Sequence, residues 1–218
     1  MKRFFIFLLF SIFVFSENDI SKSNFLNVGN MKIVREQKIK IEKEVINIKF
    51  LENGKIFVKT KYFLGNLDDR SIKETYLFSL DQILGDKSNT YIEKINFFSN
   101  EKNIKHLRAV INFDEDGEKM QREWFSISSM IVRDKPLIIE VSYIIKNLEK
   151  KEFNYSFNIK NNFLDNRADL LEINIDGKNK NITSMTYQGY EFIENKDGTY
   201  YFYGKDVKLE DVLNIKYE

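Results

Sequence analysis

The chain has no cysteine, one proline, one histidine and one tryptophan in 218 residues. Without cysteine there is no disulfide framework, no thiolate metal site, no cysteine nucleophile and no lipid-bearing N-terminal cysteine. One histidine excludes an all-histidine zinc centre and any paired-histidine metal motif within one chain. Charge of one sign is also lacking. The 34 Lys+Arg stand against 33 Asp+Glu, a net charge of +1, which is not the balance of a nucleic-acid binder, so no nucleic-acid partner is expected. No Gly-x-Ser-x-Gly elbow, phosphate-cradling glycine loop or internal repeat is present.

What is there begins at the N-terminus. Lys2 and Arg3 precede the apolar run Phe4–Phe10, which continues through Ile12 to Phe15. A basic start and an apolar block of about a dozen residues fit a secretory signal and fall short of a bilayer span. Val14 and Ser16 suit the positions before a cleavage site, so residues 1–16 are read as a signal peptide. The remainder is read as exported to the periplasm or the extracellular space, with no membrane span. Removing Lys2 and Arg3 leaves 32 basic against 33 acidic residues, and six of the 20 phenylalanines go with the signal.

Beyond a lead-in at 17–32, short alternating runs dominate: Ile39–Ile41, Val45–Phe50, Ile56–Phe63, Thr75–Leu80, Tyr91–Phe98, Ile104–Phe113, Trp124–Val132 and Leu137–Ile145. Phe153–Ile159, Leu170–Ile175, Asn181–Thr186, Tyr190–Ile193, Tyr200–Tyr203 and Val212–Tyr217 follow. Period-two patterning rich in Ile, Val, Phe, Tyr and Thr predicts half-buried strands. Asn53-Gly54, Asp116-Gly117, Asp176-Gly177 and Asp197-Gly198 tolerate the positive φ of tight turns and predict four hairpins. Helical signal is confined to Asp81–Leu84, opened by Ser79 or Asp81 and stopped by Gly85. The fold class is all-β, an antiparallel β-sandwich with very little helix. Pro136 and the turn at 114–121 suggest an N-terminal β unit at 33–121 and a C-terminal one at 122–218, with one large sandwich as the alternative.

Candidate chemistry is sparse. Asn112, Asp114, Asp116 and Glu123 fall at positions 1, 3, 5 and 12 of a calcium-loop spacing with Gly117 at position 6. The same residues also read as an acidic hairpin turn. Calcium is the sole cofactor candidate. His106 lies in an alternating run, and a general base there would need an acidic orienter and a nucleophile within reach. Asp68-Asp69, Glu42/Glu44, Asp165/Asp169 and Glu210-Asp211 offer carboxylate pairs of the kind that glycoside hydrolysis uses. The last thirty-odd residues are rich in tyrosine, and Tyr187, Tyr190, Tyr201 and Tyr203 form a candidate aromatic face for sugar rings or partner side chains. Tyr201 and Tyr203 are expected on one side of their strand, Tyr200 and Phe202 on the other. Trp124 is expected in the core beside Phe125 and Ile127.

Several of these segments resemble an uncharacterised family of exported bacterial proteins, domain of unknown function 4424. The likeness runs over Val28-Gly29, Ile39–Glu44, Ile46–Ile48 and Val58–Asn66, then Ile139–Tyr143, Tyr155–Ile159, Leu171–Ile175, Tyr190, Asp197-Gly198 and Leu209–Asp211. The family's proline near Leu77–Leu80 and its tryptophan before Leu170 are missing here. The resemblance implies an exported β protein and transfers no active site. The sequence therefore reads as a non-catalytic binding or structural module of the bacterial envelope, its partner an envelope protein or glycan. A secreted carboxylate-dependent hydrolase and a calcium-stabilised interaction domain are the alternatives.

Overall fold

A computed structural model of the chain describes residues 28–35, 37–83, 91–115, 117–146, 151–157 and 162–218; the expected signal peptide at 1–16 lies outside them. Two short strands, β1 (Val28–Gly29) and β2 (Lys32–Ile33), precede the long hairpin of β3 (Ile39–Phe50) and β4 (Lys55–Asn66). Then come β5 (Ile72–Ile83), β6 (Tyr91–Ser99), β7 (Lys102–Ile104), β8 (Leu107–Glu115) and β9 (Glu118–Ile131). The C-terminal part adds β10 (Leu137–Lys146), β11 (Glu152–Ser156), β12 (Arg167–Asp176) and β13 (Ile182–Thr186). It closes with β14 (Ile193–Glu194), β15 (Thr199–Lys208) and β16 (Val212–Tyr217). Helical backbone among the described residues is limited to single 3-10 turns at Glu52–Gly54 and Leu164–Asn166. No helix among them is long and apolar enough to cross a membrane.

The strands form two sheets that bury a shared apolar core. The first runs β13-β16-β11-β1-β5-β9-β8 with β2 also on β5; the second runs β14-β15-β12-β3-β4-β10-β6-β7. Rings from the two sheets meet between them, Phe78 of β5 against Phe97 of β6 and Tyr143 of β10, and Tyr217 of β16 against Phe50 of β3. The all-β sandwich is as expected, with one refinement. The sheets are mixed, because β1 pairs with β11 and β12 with β3 in parallel. Position 121/122 lies inside β9, and each sheet holds strands from both sides of it. Residues 28–32, expected as lead-in, already belong to the first sheet.

Turn chemistry explains most connections. Asn53 (φ 58°) and Gly54 (φ 68°) join β3 to β4, Gly117 (φ 84°) helps join β8 to β9, and Gly198 (φ 76°) lies between β14 and β15. Asp176-Gly177 is the exception. It leads from β12 in one sheet to β13 in the other, where β13 pairs with β16, so the expected hairpin is a crossing between sheets. The run at 104–113 likewise splits, β7 lying in one sheet and β8 in the other. The expected helical turn at 81–84 is strand through Ile83, because the inward alternation Tyr76, Phe78, Leu80 continues in register with β9 as far as Ile83 opposite Met120; Leu84 and Gly85 lie outside the described residues.

One irregularity governs the second sheet. In β3 the buried residues are Ile39 and Ile41, then Glu44, Ile46, Ile48 and Phe50, a change from odd to even numbers. The register against β4 slips by one between Ile41 and Lys43, leaving Glu42 as the extra residue of a bulge. The neighbours on the other side follow. Ala168 then Leu171, Ile173 and Ile175 are buried in β12, and Val207 then Phe202 in β15, in unbroken register with β3. Glycine fits on both sides of this switch. A Cβ on Gly65 would lie 2.4 Å from Glu42 Oε1, and one on Gly204 would lie 2.5 Å from Val207 Cγ2 and 2.8 Å from Phe202 Cζ.

The two glycines should differ in tolerance. Gly204→Ala drives a methyl into packed core and should cost about 1–3 kcal/mol. Gly65→Ala meets the end of a surface carboxylate that can swing into water and should cost less than half as much. Urea denaturation midpoints of the two variants test the order; equal losses would refute this account of the switch.

Candidate functional site

The face switch in β3 carries Glu44 into the interior, where it is fully buried. Asn30, between β1 and β2, donates from Nδ2 to Glu44 Oε2 at 3.3 Å, while Oε1 has no hydrogen-bond partner. The Tyr62 hydroxyl donates to Asn30 Oδ1, which also accepts the Met31 backbone N–H at 2.7 Å. From Tyr62 the chain of polar atoms continues to the Tyr155 hydroxyl at 3.3 Å and on to Thr60 Oγ1, another 3.3 Å away. Glu44, Thr60 and Tyr62 belong to one sheet, and Tyr155 to the other. Burial pushes the Glu44 carboxyl up to about 8, opposed only by the Asn30 hydrogen bond. The same burial raises the Tyr62 and Tyr155 hydroxyls above their ordinary range. At neutral pH this is a network of neutral groups.

The tyrosine-rich end does not form one face. Tyr187 is buried, stacked on Phe157 at 4.8 Å and close to Phe202. Tyr190, more exposed, packs on the same Phe202 at 4.9 Å. Tyr201 and Tyr203 point the other way, onto the outer surface of the second sheet opposite Asn174 and Glu172. The alternation of β15 separates the two pairs, as expected for Tyr201 and Tyr203 against Phe202, and the four-residue aromatic face is corrected to two distinct places. Trp124 also departs from expectation. Phe125 and Ile127 are core, so Trp124 falls on the outer surface beside Ala109 and Ser79, with Lys32 Nζ 4.4 Å from its ring centre.

The calcium spacing is realised as a hairpin. Glu123 sits opposite Val110, and Arg108 donates to both its oxygens at 2.9 and 2.7 Å. Asn112 Oδ1 accepts from Gln121, Asp114 stands opposite Lys119, and Asp116 lies outside the described residues. The strand register thus spreads apart residues that a twelve-residue loop would gather, and no group of three metal-ligating side chains occurs among the described residues. His106 packs between Phe97 and Phe125, with ring centres 5.2 and 5.6 Å away.

Of the carboxylate pairs, Asp68 and Asp69 do meet, as neighbours in the turn after β4 whose side chains hydrogen-bond to each other. Glu42 and Glu44 are separated by the bulge, one at the surface and one inside, and Asp169 is bound by Lys40 at 2.9 Å. Asp165 sits in the 3-10 turn before β12, Glu210 pairs with Lys208, and Asp68 lies in the turn after β4, its side chain accepting the Arg70 N–H. Buried Glu74 accepts the backbone N–H of Thr75. On the outer surface of the second sheet, Lys43–Glu172, Lys49–Asp176, Lys55–Glu93 and Lys59–Glu140 form cross-strand ion pairs of 2.7–3.2 Å.

A cleft of about 510 Å³ opens between the crossing at 177–181 and the β14–β15 hairpin. Lys178, Lys180, Asn181, Glu194, Asp197 and Tyr200 are among its lining residues. Asp197 accepts from Thr199 Oγ1 at 2.6 Å and pairs with Lys178 at 3.0 Å, and these partners hold its carboxyl down to about 2. The Tyr200 hydroxyl donates to Glu194 Oε1 at 3.2 Å. The cleft therefore offers ammonium groups, amides and one aromatic wall, and its two acids are engaged. Sequence reasoning offered Glu44 only as one half of a carboxylate pair with Glu42, and anticipated neither its burial nor this cleft. The cleft depends on a sheet crossing that Asp176-Gly177 disguises as a hairpin. Glu44 had a signal, its even spacing with Ile46, Ile48 and Phe50.

The sequence matches no family model and no curated protein. The fold is similar to the crystal structure of a "putative nutrient binding protein" from Legionella pneumophila subsp. pneumophila str. Philadelphia 1, with a TM-score of 0.66 at 12% identity over 87% of this chain and 70% of that one. It has a fainter likeness to an M1 zinc metallopeptidase from Deinococcus radiodurans, with a TM-score of 0.40 at 8% identity over 83% of this chain and 42% of that one. At 12% identity the first likeness shows the fold alone.

Glu44 makes stability depend on pH. The unfolded chain releases this proton near 4.5 and the folded chain near 8. Between those values the native state holds the extra proton, so stability falls as pH rises, by about 1.4 kcal/mol per unit. Glu44→Gln removes that slope. Its advantage in Tm over the parent should be smallest near pH 5, grow to about pH 8 and then level off. A difference flat across this range would show that Glu44 is not titrating in the interior.

Proposed function

We propose that this chain is an exported module of the bacterial envelope that binds a polar partner, a glycan foremost, without turning it over. The 177–200 cleft is the contact. The carrying observation is the state of its acids. Asp197 is committed to Lys178 and Thr199, and Glu194 accepts from Tyr200, so both carboxylates of the cleft are held by neighbouring side chains. What remains available is ammonium and amide hydrogen-bonding capacity beside an aromatic ring, a set suited to hydroxylated ligands. The N-terminal segment and the resemblance to the exported family support the envelope assignment. The fold shared with a protein described as nutrient-binding agrees with a binding role.

Isothermal titration of the chain with soluble peptidoglycan fragments and with neutral oligosaccharides tests the reading. Binding that weakens about tenfold or more in Tyr200→Ala, with no new reducing ends formed, is the expected result. Release of reducing ends that Glu194→Gln abolishes would replace it with the hydrolase reading. Absence of binding to either ligand class would remove the glycan.

A further inference from the structure

Sheet edges expose unpaired backbone groups, and folded proteins blunt them with short strands, lysine, proline or bulges. Three of the four edges here follow that rule. β14 has two residues, β7 three and β13 five. The strands behind β14 and β7 carry Lys205, Lys208 and the positive-φ Asp206, or Glu93 and Lys94. The fourth edge, β8, is different. It has nine residues, Leu-Arg-Ala-Val-Ile-Asn-Phe-Asp-Glu, with neither lysine nor proline, and among the described residues it pairs only with β9. Both of its faces are open, Leu107 being 77% exposed, Ile111 48% and Val110 47%.

The register of the β8–β9 hairpin shows what this edge offers. On β5 the odd-numbered Thr75 accepts the Val34 N–H on the β2 side, so even-numbered residues of β5 bond to odd-numbered residues of β9, and even-numbered residues of β9 bond to β8. Alternation then directs the odd-numbered residues of β8 toward β9. The N–H and C=O groups of Arg108, Val110, Asn112 and Asp114 point away from the sheet. A partner strand must match that spacing.

We propose that a second copy of this chain occupies the edge, two β8 strands pairing antiparallel about a two-fold axis at Ile111. In this register Arg108 of each copy stands opposite Asp114 of the other, on the same face of the joined sheet. Val110 stands opposite Asn112, Ala109 opposite Phe113, and Ile111 opposite itself. All four outward N–H groups and all four outward C=O groups are bonded. Sliding by two residues either way keeps the backbone parity but leaves only three of the four outward residues paired within β8: one slide sets Arg108 against Asn112 and loses the charge match, the other carries Arg108 past Glu115, the end of the strand. The Arg108 guanidinium already holds Glu123, yet its side chain is 57% exposed and has donors to share with a second carboxylate. The pairing is isologous, so one complementary pair occurs twice. A single shared strand edge buries less than a standard interface, so the association is weak and reversible.

Sedimentation velocity on the purified full chain from about 5 to 500 μM should show a reversible monomer–dimer equilibrium in that range. Val110→Pro deletes an outward N–H that the monomer does not use. It should keep the circular dichroism and Tm of the parent while weakening the dimer at least tenfold. Asp114→Arg sets like charges together and should weaken it as well, most at low salt. Because the chain has no cysteine, Ile111→Cys provides a register test. Residues facing across a non-hydrogen-bonded pair approach to about 4.5 Å between Cα atoms, within disulfide reach. That variant should cross-link under mild oxidation, and Ala109→Cys should not. A chain monomeric at 500 μM, a dimer unchanged by both Val110→Pro and Asp114→Arg, or cross-linking through residue 109 in place of 111 would each overturn the proposal. So would a monomeric chain that takes up a foreign extended peptide along β8.

Discussion

The extra residue at Glu42 sets the inside and the outside of half the molecule. A strand offers alternate residues to opposite faces, so one inserted position reverses every later assignment. Without the slip, Lys43, Val45, Asn47 and Lys49 would face the core in place of Glu44, Ile46, Ile48 and Phe50. The reversal cannot remain in one strand. β12 lies parallel to β3 in constant register and β15 antiparallel to β12, so the buried positions of all three change together. β4 does not change, and the mismatch is absorbed between Ile41 and Lys43. Gly65 and Gly204 leave room on either side, the first for the Glu42 carboxylate and the second for Val207 and Phe202.

The same slip explains an acid inside a core of Ile, Leu, Phe and Tyr. Glu44 is the first inward position after the bulge. A charged carboxylate there would carry a heavy desolvation cost, and the residue instead keeps its proton. The polar atoms it brings are partly answered by Asn30, and the Asn30–Tyr62–Tyr155–Thr60 chain then links the connector before β2, β4 and β11. This interior contact crosses from sheet to sheet through directional bonds. Apolar packing holds two sheets together but tolerates small rotations, whereas a hydroxyl chain fixes one alignment. A buried polar network of this kind favours a single arrangement of the sheets even where its net contribution to stability is small.

Much of the strand inventory was legible, because period-two patterning survives wherever one face is buried. Ile56–Phe63, Leu137–Ile145 and Val212–Tyr217 lie within or coincide with real strands. The failures have one cause each. Ile39–Ile41 and Val45–Phe50 read as two segments since their apolar positions are out of phase; the structure joins them through the bulge, and the phase break was itself the signal. The run at 104–113 looked continuous, yet it changes sheets at His106, which alternation within a single chain segment cannot reveal. Asp176-Gly177 has turn chemistry, but turn chemistry fixes a reversal of direction and not the strand that receives it. The Asn112–Glu123 spacing is ambiguous for a related reason. A pattern of oxygens every second residue is also what one face of a polar hairpin presents, and β8 and β9 turn those oxygens toward Arg108 and Gln121.

A chain without cysteine has no covalent device to hold its ends, and the distribution of its contacts reflects that. The hydroxyl network and the largest buried rings, including Tyr62, Phe78, Tyr143 and Tyr155, lie between the central strands. The outer surface of the second sheet is tied by cross-strand ion pairs that are individually weak. Both proposed contacts lie at the margins, with the polar cleft beside the β14–β15 hairpin in one sheet and the open β8 edge at the end of the other. These margins carry few of the contacts that define the sheets' alignment. A ligand or a second strand can therefore engage them without disturbing the Glu42 slip on which the arrangement of the second sheet rests.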